Sequence, residues 1–122
     1  MAVIELNKDN FDETVDNNDM VIVDFWAPWC GPCRAFGPTY EKVSVKYPQA
    51  IFAKVNTDDE RDLAMMFQIR SIPTLMIFRE KIVIYSQPGM LPESAFVDLV
   101  DKALGLDMEE VKREVAKQQA GG

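Results

Sequence analysis

The chain has 122 residues, 48% of them apolar and 27% charged, with a net charge of −7 and no histidine. That length suits one domain with a core of its own, since the marginality of small domains fades above roughly 80 residues. The acid excess argues against nucleic acid or an anionic membrane as a partner, and no apolar run approaches the roughly 18 residues of a membrane span.

In chain order, residues 2–6 (AVIEL) read as a short strand. Asn7 to Asn10 offer capping side chains, and Phe11 and Val15 mark a first helix that Asn17 to Asp19 end. Met20 to Ala27 is a nearly continuous β-branched and aromatic run, the pattern of a strand covered on both faces. Asp24 is the one acid in it. Phe36, Tyr40, Val43 and Tyr47 fall at i, i+4, i+7 and i+11, a helical stripe over residues 33–47. Pro38 lies inside that stripe, where loss of a donor predicts a kink, and Pro48 closes it. Residues 51–55 (IFAKV) read as a buried strand with Lys54 as an unexpected charge. Leu63, Met66 and Phe67 mark a short helix over 59–67, and Ser71 to Thr74 a turn. Residues 75–78 and 82–86 are short strands, joined across a polar break at Arg79 to Lys81. Gln87 to Gly89 form a loop. Pro92 suits a first helical position, Phe96, Val97, Val100 and Leu104 share one face, and Gly105 stops that helix. Asp107 with Glu110 resembles a capping box ahead of a last helix over 108–119. The order β-α-β-α-β-α-β-β-α-α implies an α/β fold, a mixed sheet with helices on both faces.

Both cysteines lie in the segment Val21 to Arg34 (VIVDFWAPWCGPCR), as Cys30 and Cys33. A loop that short removes little unfolded-chain entropy, so the pair is a poor staple. A structural zinc site wants four Cys or His ligands, and an iron–sulfur cluster fails on the same count unless two chains share it. A chance pair of buried cysteines and a dithiol–disulfide redox pair remain. CxxC beside a βαβ pattern is the spacing of the second. With Cys30 at the start of the helix and Cys33 in its first turn, the helix dipole and free amides favour thiolate, by at most about 2 kcal/mol. Pro32 fixes φ between the two. The attacking thiol should be the exposed one; chain direction makes that Cys30, with Cys33 resolving from inside the helix.

Residues 23–33 (VDFWAPWCGPC) resemble the active site of the thioredoxin family, and residues 71–74 (SIPT) resemble its cis-proline loop. The resemblance runs from about residue 3 to 104. It implies a thioredoxin fold: a mixed central sheet of about five strands with helices on both faces, here with an extra C-terminal helix. The chain then divides into a thioredoxin domain over 1–105 and a C-terminal helical extension and tail over 106–122. It also implies Cys30 as nucleophile, Cys33 as resolving thiol, and a cis Pro73 packed against the disulfide. Asp24 matches the family's buried acid and Lys54 its neighbour, both catalytic by resemblance. Trp29, Gly31, Pro32, Ile72, Pro73 and Gly89 match the substrate-binding surface beside the sulfur, with Asp58 as the suggested partner of the Trp29 indole. Gly-Pro between the cysteines is typical of reducing members. Ser71, the turn Arg79-Glu80-Lys81 and the helix over 108–119 depart from the family pattern.

Several side chains read two ways. Asp24 is an edge acid facing solvent or a buried acid, which burial would make a proton acceptor near neutral pH. Lys54 snorkels from the sheet or pairs with Asp24. Met65, Met66 and Phe67 pack a short helix into the core or form a binding patch. The last helix docks on the fold or on a partner.

The expected activity is reduction of protein disulfides through a Cys30/Cys33 cycle. No cofactor is bound; NADPH acts indirectly, through a thioredoxin reductase that regenerates the dithiol and is implied by resemblance. Disulfide-containing substrate proteins are the other expected partners, and a monomer is the expected state. The N-terminus lacks a basic start followed by a long apolar core, so no secretory signal is expected and the cytoplasm is the expected compartment. An exported oxidant or isomerase, and a binding module using the same groove, are the competing readings.

Overall fold

The computed structural model describes residues 2–121. They form β1 (Val3–Glu5), α1 (Phe11–Asp16), β2 (Met20–Trp26), α2 (Gly31–Ser44), β3 (Ile51–Asn56), α3 (Arg61–Met66), β4 (Thr74–Arg79), β5 (Ile82–Pro88), α4 (Glu93–Leu104) and α5 (Met108–Gly121). The five strands make one sheet in the order β1-β3-β2-β4-β5. β1 and β2 flank β3 in parallel, and β4 and β5 continue the sheet antiparallel beyond β2.

β2 is the middle strand, which explains its unbroken apolar run: both faces are covered. Met20 and Ile22 point to a core shared with Phe36, Tyr40 and Val43 of α2 and Phe96 and Val100 of α4. Val21, Val23 and Phe25 point the other way, to Phe11 and Val15 of α1 and Leu63 of α3. Alternation therefore assigns Asp24 to the α2 face. Aromatic rings tie that face together: the Tyr40 ring stacks on Phe96 at 5.6 Å and 11°, and meets Phe52 edge-on at 5.6 Å.

Local chemistry moves several boundaries. α2 starts at Gly31 and ends at Ser44, so Tyr47 lies beyond it; Tyr47 is still buried, and its hydroxyl donates to Asp101 at 2.6 Å. α2 continues through Pro38. Pro92 is the N-cap of α4, one position earlier than its usual place. Asp107 caps α5 by accepting from the N–H groups of Glu109 and Glu110 at 3.1 and 3.2 Å, while the Glu110 carboxylate is drawn to Arg113. Met65 and Met66 are 75% and 68% exposed, so the core reading of α3 fails for both; only Phe67 packs inward.

Arg79, read as part of a polar break, is the last residue of β4 and is 7% exposed. A charge this buried requires partners. Its guanidinium donates to the Ala103 and Leu104 carbonyls at the end of α4, and Nε lies 3.3 Å from Asp19. α5 docks beside it, burying Met108 and pairing Lys112 with Glu80.

The Glu80–Lys81 turn between β4 and β5 has φ of 48° and 73°, the doubly left-handed geometry that suits the twist of a two-residue hairpin. Side chains with a Cβ lose about 1–2 kcal/mol per residue there. Lys81→Gly is therefore expected to raise the unfolding free energy by about 0.5–1 kcal/mol, after the added unfolded-state entropy of glycine is subtracted. Denaturant midpoints at unchanged m-value read it, and a lower midpoint would contradict it.

Candidate active site: a disulfide between a groove and a buried carboxyl

Cys30 is the N-cap of α2, with extended backbone (φ −84°, ψ 114°), and Pro32 occupies the first turn. A proline there costs no intrahelical hydrogen bond and presets the helical φ. The N–H of Cys33 donates to Cys30 Sγ at 3.2 Å. Cys30 and Cys33 form a disulfide with Cα atoms 5.2 Å apart. Exposure does not separate the two: Cys30 is 5% exposed and Cys33 3%. What separates them is the space each one faces.

Cys30 faces an open groove of about 510 Å3, lined also by Trp29, Gly31, Pro32, Ala64, Ile69 and Ile72. Trp29 is 67% exposed, and its indole N–H donates to the Asp58 carboxylate at 3.0 Å, which pins the ring as one wall. The Ile72–Pro73 bond is cis, and the Ile72 carbonyl oxygen lies 3.7 Å from Cys30 Sγ. Gly89, at φ 100°, donates its N–H to the Pro73 carbonyl at 2.8 Å, tying the end of β5 to this loop. Thus Trp29, Gly31, Pro32 and Ile72 share the groove with Cys30, whereas Pro73 and Gly89, bonded to each other, are not among its lining residues. Ala64 and Ile69 were not legible as groove residues, because small and branched apolar residues flanking a short helix look like core.

Cys33 faces a smaller cavity of about 150 Å3 behind the disulfide, lined also by Asp24, Trp26, Arg34, Tyr40 and Lys54. Asp24 is 5% exposed, and its Oδ1 accepts no hydrogen bond among the described residues. Burial pushes the Asp24 carboxyl up to about 7, against the opposing charge of Lys54. Asp24 and Lys54 are register partners across β2 and β3. No ion pair forms between them, because the Lys54 ammonium sits 5.0 Å over the Trp26 ring instead. Of the two readings of Asp24 the buried one holds; Lys54 acts on it only through space. No group of three or more His, Cys, Asp or Glu among the described residues is placed to hold a metal ion.

A disulfide at a helix start, open to a groove on one sulfur and backed by a buried acid on the other, defines a dithiol–disulfide redox protein. The thioredoxin family model matches residues 2–102. The chain is 52% identical over 119 residues to a protein named putative thioredoxin 2 from Streptomyces coelicolor, covering 98% of this chain and 89% of that one. It is 41% identical to the thioredoxin of Porphyra purpurea over 84% of this chain and 97% of that one. Among solved structures, a single-substitution mutant of the thioredoxin from Halobacterium salinarum superposes with a TM-score of 0.78 at 30% identity, over 85% of this chain and 92% of that one. The chain belongs to the thioredoxin family, and it is a protein thiol–disulfide oxidoreductase working through its CxxC pair.

The raised Asp24 value makes a stability prediction. An acid whose folded value lies above its unfolded value favours folding least once it must ionise in place. The cost is absent at and below about pH 4, grows through the window from 3.8 to about 7, and is full above it. That difference corresponds to about 4 kcal/mol as an upper bound. Asp24→Ala is expected to be more stable than the parent by a few kcal/mol above neutrality, and the gain should vanish toward pH 4. Denaturant unfolding at several pH values checks it; a gain independent of pH would contradict the assignment.

Proposed function

We propose that Cys30 is the attacking thiol and Cys33 the resolving thiol of a general protein-disulfide reductase, with Asp24 as acceptor of the Cys33 proton. The observation that carries this reading is the division of space at the disulfide: Cys30 opens on the groove and Cys33 on the smaller cavity that Asp24 lines. The Cys33 N–H on Cys30 Sγ and the N-cap position both favour a thiolate at Cys30.

In the reduced protein the Cys30 thiolate attacks one sulfur of a substrate disulfide. A mixed disulfide forms and the other substrate sulfur leaves as thiolate. Cys33 gives its proton to Asp24, attacks Cys30 Sγ, and releases the second substrate thiolate, leaving the Cys30–Cys33 disulfide. An acceptor poised near 7 suits this transfer at neutral pH. Lys54 tempers the Asp24 charge. Trp29, Gly31, Pro32, Ile72, Pro73 and Gly89 hold the substrate segment, whose backbone lies extended along the Ile72–Pro73 loop.

Two electrons return from NADPH through a thioredoxin reductase, so the chain serves electron transport in a cytoplasmic redox system without a bound cofactor. It works as a monomer, through a catalytic unit over 1–105 with 106–122 as a C-terminal helical extension and tail, and its acidic surface disfavours nucleic acid and anionic membrane.

A coupled assay with NADPH, thioredoxin reductase and a disulfide-bonded protein tests the reading. The parent chain is expected to turn over. Cys33→Ser is expected to lose turnover but accumulate a mixed disulfide, and Cys30→Ser to lose both. Asp24→Asn is expected to slow resolution at pH 7 by about tenfold or more. Mixed-disulfide capture by Cys30→Ser, but not by Cys33→Ser, would reverse the thiol assignment.

A further inference from the structure

Tyr40 stands in the apolar stripe of α2, seven residues after Cys33 on the same helix face, and is 2% exposed. Its ring packs against Phe36, Phe52 and Phe96 as any core aromatic would. Its hydroxyl does something a phenylalanine could not. The oxygen lies 2.7 Å from the Ala53 carbonyl and 3.0 Å from the Ile22 carbonyl. A phenol has one proton, so those two carbonyls share it, and none is left to donate elsewhere. The lone pairs remain.

Ile22 precedes Asp24 by two residues on the same face of β2, and Ala53 precedes Lys54 on β3. The hydroxyl therefore sits at the carbonyls of the two rungs below the Asp24–Lys54 pair, Val23–Ala53 and Ile22–Phe52, and Tyr40 lines the cavity that Asp24 and Lys54 also line. We propose that Tyr40 is a positioning residue for the proton of Asp24: its phenol oxygen, unable to donate, serves that cavity as an acceptor and holds the carboxyl in its protonated form. Asp24 and Tyr40 make no direct hydrogen bond; a protonated carboxyl has a proton to give to such an acceptor through a water that the cavity has room for. An ionised carboxyl has none and meets a second oxygen. Consistently, the Tyr40 phenol is held well above its ordinary range, first by burial and next by the Asp24 charge.

The other charged or titratable groups facing this cavity are Lys54 from β3, and Arg34, Glu41 and Cys33 from α2. Lys54 and Arg34 favour the ionised carboxylate and Glu41 opposes it. Cys33 is silent while it is in the disulfide. The oxidised full chain is therefore the state in which to isolate Tyr40.

The inference rests on the reading of Asp24 as the proton acceptor, yet its test does not use turnover. The Asp24 side-chain carboxyl carbon is followed by 13C NMR across pH in the oxidised protein. Tyr40→Phe is expected to lower the midpoint by about half a pH unit or more, a roughly threefold loss of proton affinity. An unchanged or raised midpoint overturns the proposal. Phe96→Leu, which disturbs the same packing but keeps the hydroxyl, is expected to leave the midpoint in place; an equal downward shift there would assign the effect to packing and overturn the proposal. In the unmodified protein the Tyr40 ring carbon bearing oxygen should shift with the Asp24 midpoint, and a flat trace overturns the proposal even if Tyr40→Phe fails to fold. A normal resolution rate in Asp24→Asn would instead remove the role of Asp24 and leave this titration untouched.

Discussion

A carboxyl buried in the central strand, behind a disulfide and without a hydrogen-bond partner on one oxygen, sets the terms for the surrounding structure. Sequence alternation on β2 turns Asp24 toward α2, and the helix and sheet then bury it. Such a group is costly as an anion and acceptable as an acid. The neighbourhood reflects that choice. Lys54, the one cation on the facing strand, is held over an indole rather than on the carboxylate. The protein thereby keeps a buried carboxyl that burial raises to about 7, at some cost in stability.

The scaffold converts this buried asymmetry into a directional site. β2 delivers the chain to the sheet's end, a short loop carries Trp29, and Cys30 caps α2, which begins at Gly31. One sulfur is then held by backbone at the rim of a groove and the other by a helix turn over a cavity. The loop from α3 into β4 brings Ile72 to the groove, and Gly89, just after β5, bonds to Pro73. At the far end of the sheet, Arg79 fastens β4 to the end of α4, and α5 packs beside that fastening. The extension is thus anchored away from the disulfide.

Much of this was legible in the residues. The buried strands, the α2 stripe and the CxxC at a helix start follow from patterning and spacing, because burial on two faces and helical period leave strong signals. The cis bond, the Trp29–Asp58 contact and the closeness of Gly89 to Pro73 needed the family resemblance, since chain-distant contacts leave no local trace. Two features escaped. Arg79 looked like hairpin surface because its partners, Asp19 and the α4 carbonyls, are remote in sequence. The Tyr40 hydroxyl was hidden by the very regularity of its stripe, where an aromatic reads as core whatever its polar tip does. Met65 and Met66 misled the other way: their apolar character pointed inward, but α3 is too short to bury more than Leu63.

If Asp24 takes its proton from Cys33, that proton is linked to the redox state of the Cys30–Cys33 pair. The most direct measurement is the reduction potential of the parent and of Asp24→Ala, equilibrated against a thiol–disulfide buffer from below to above neutrality. The parent curve is expected to bend near pH 7 in a way that the variant curve does not, so that the two converge on one side of neutrality and part on the other. Parallel curves throughout would show that the buried carboxyl and the disulfide do not share a proton balance, and would contradict that linkage.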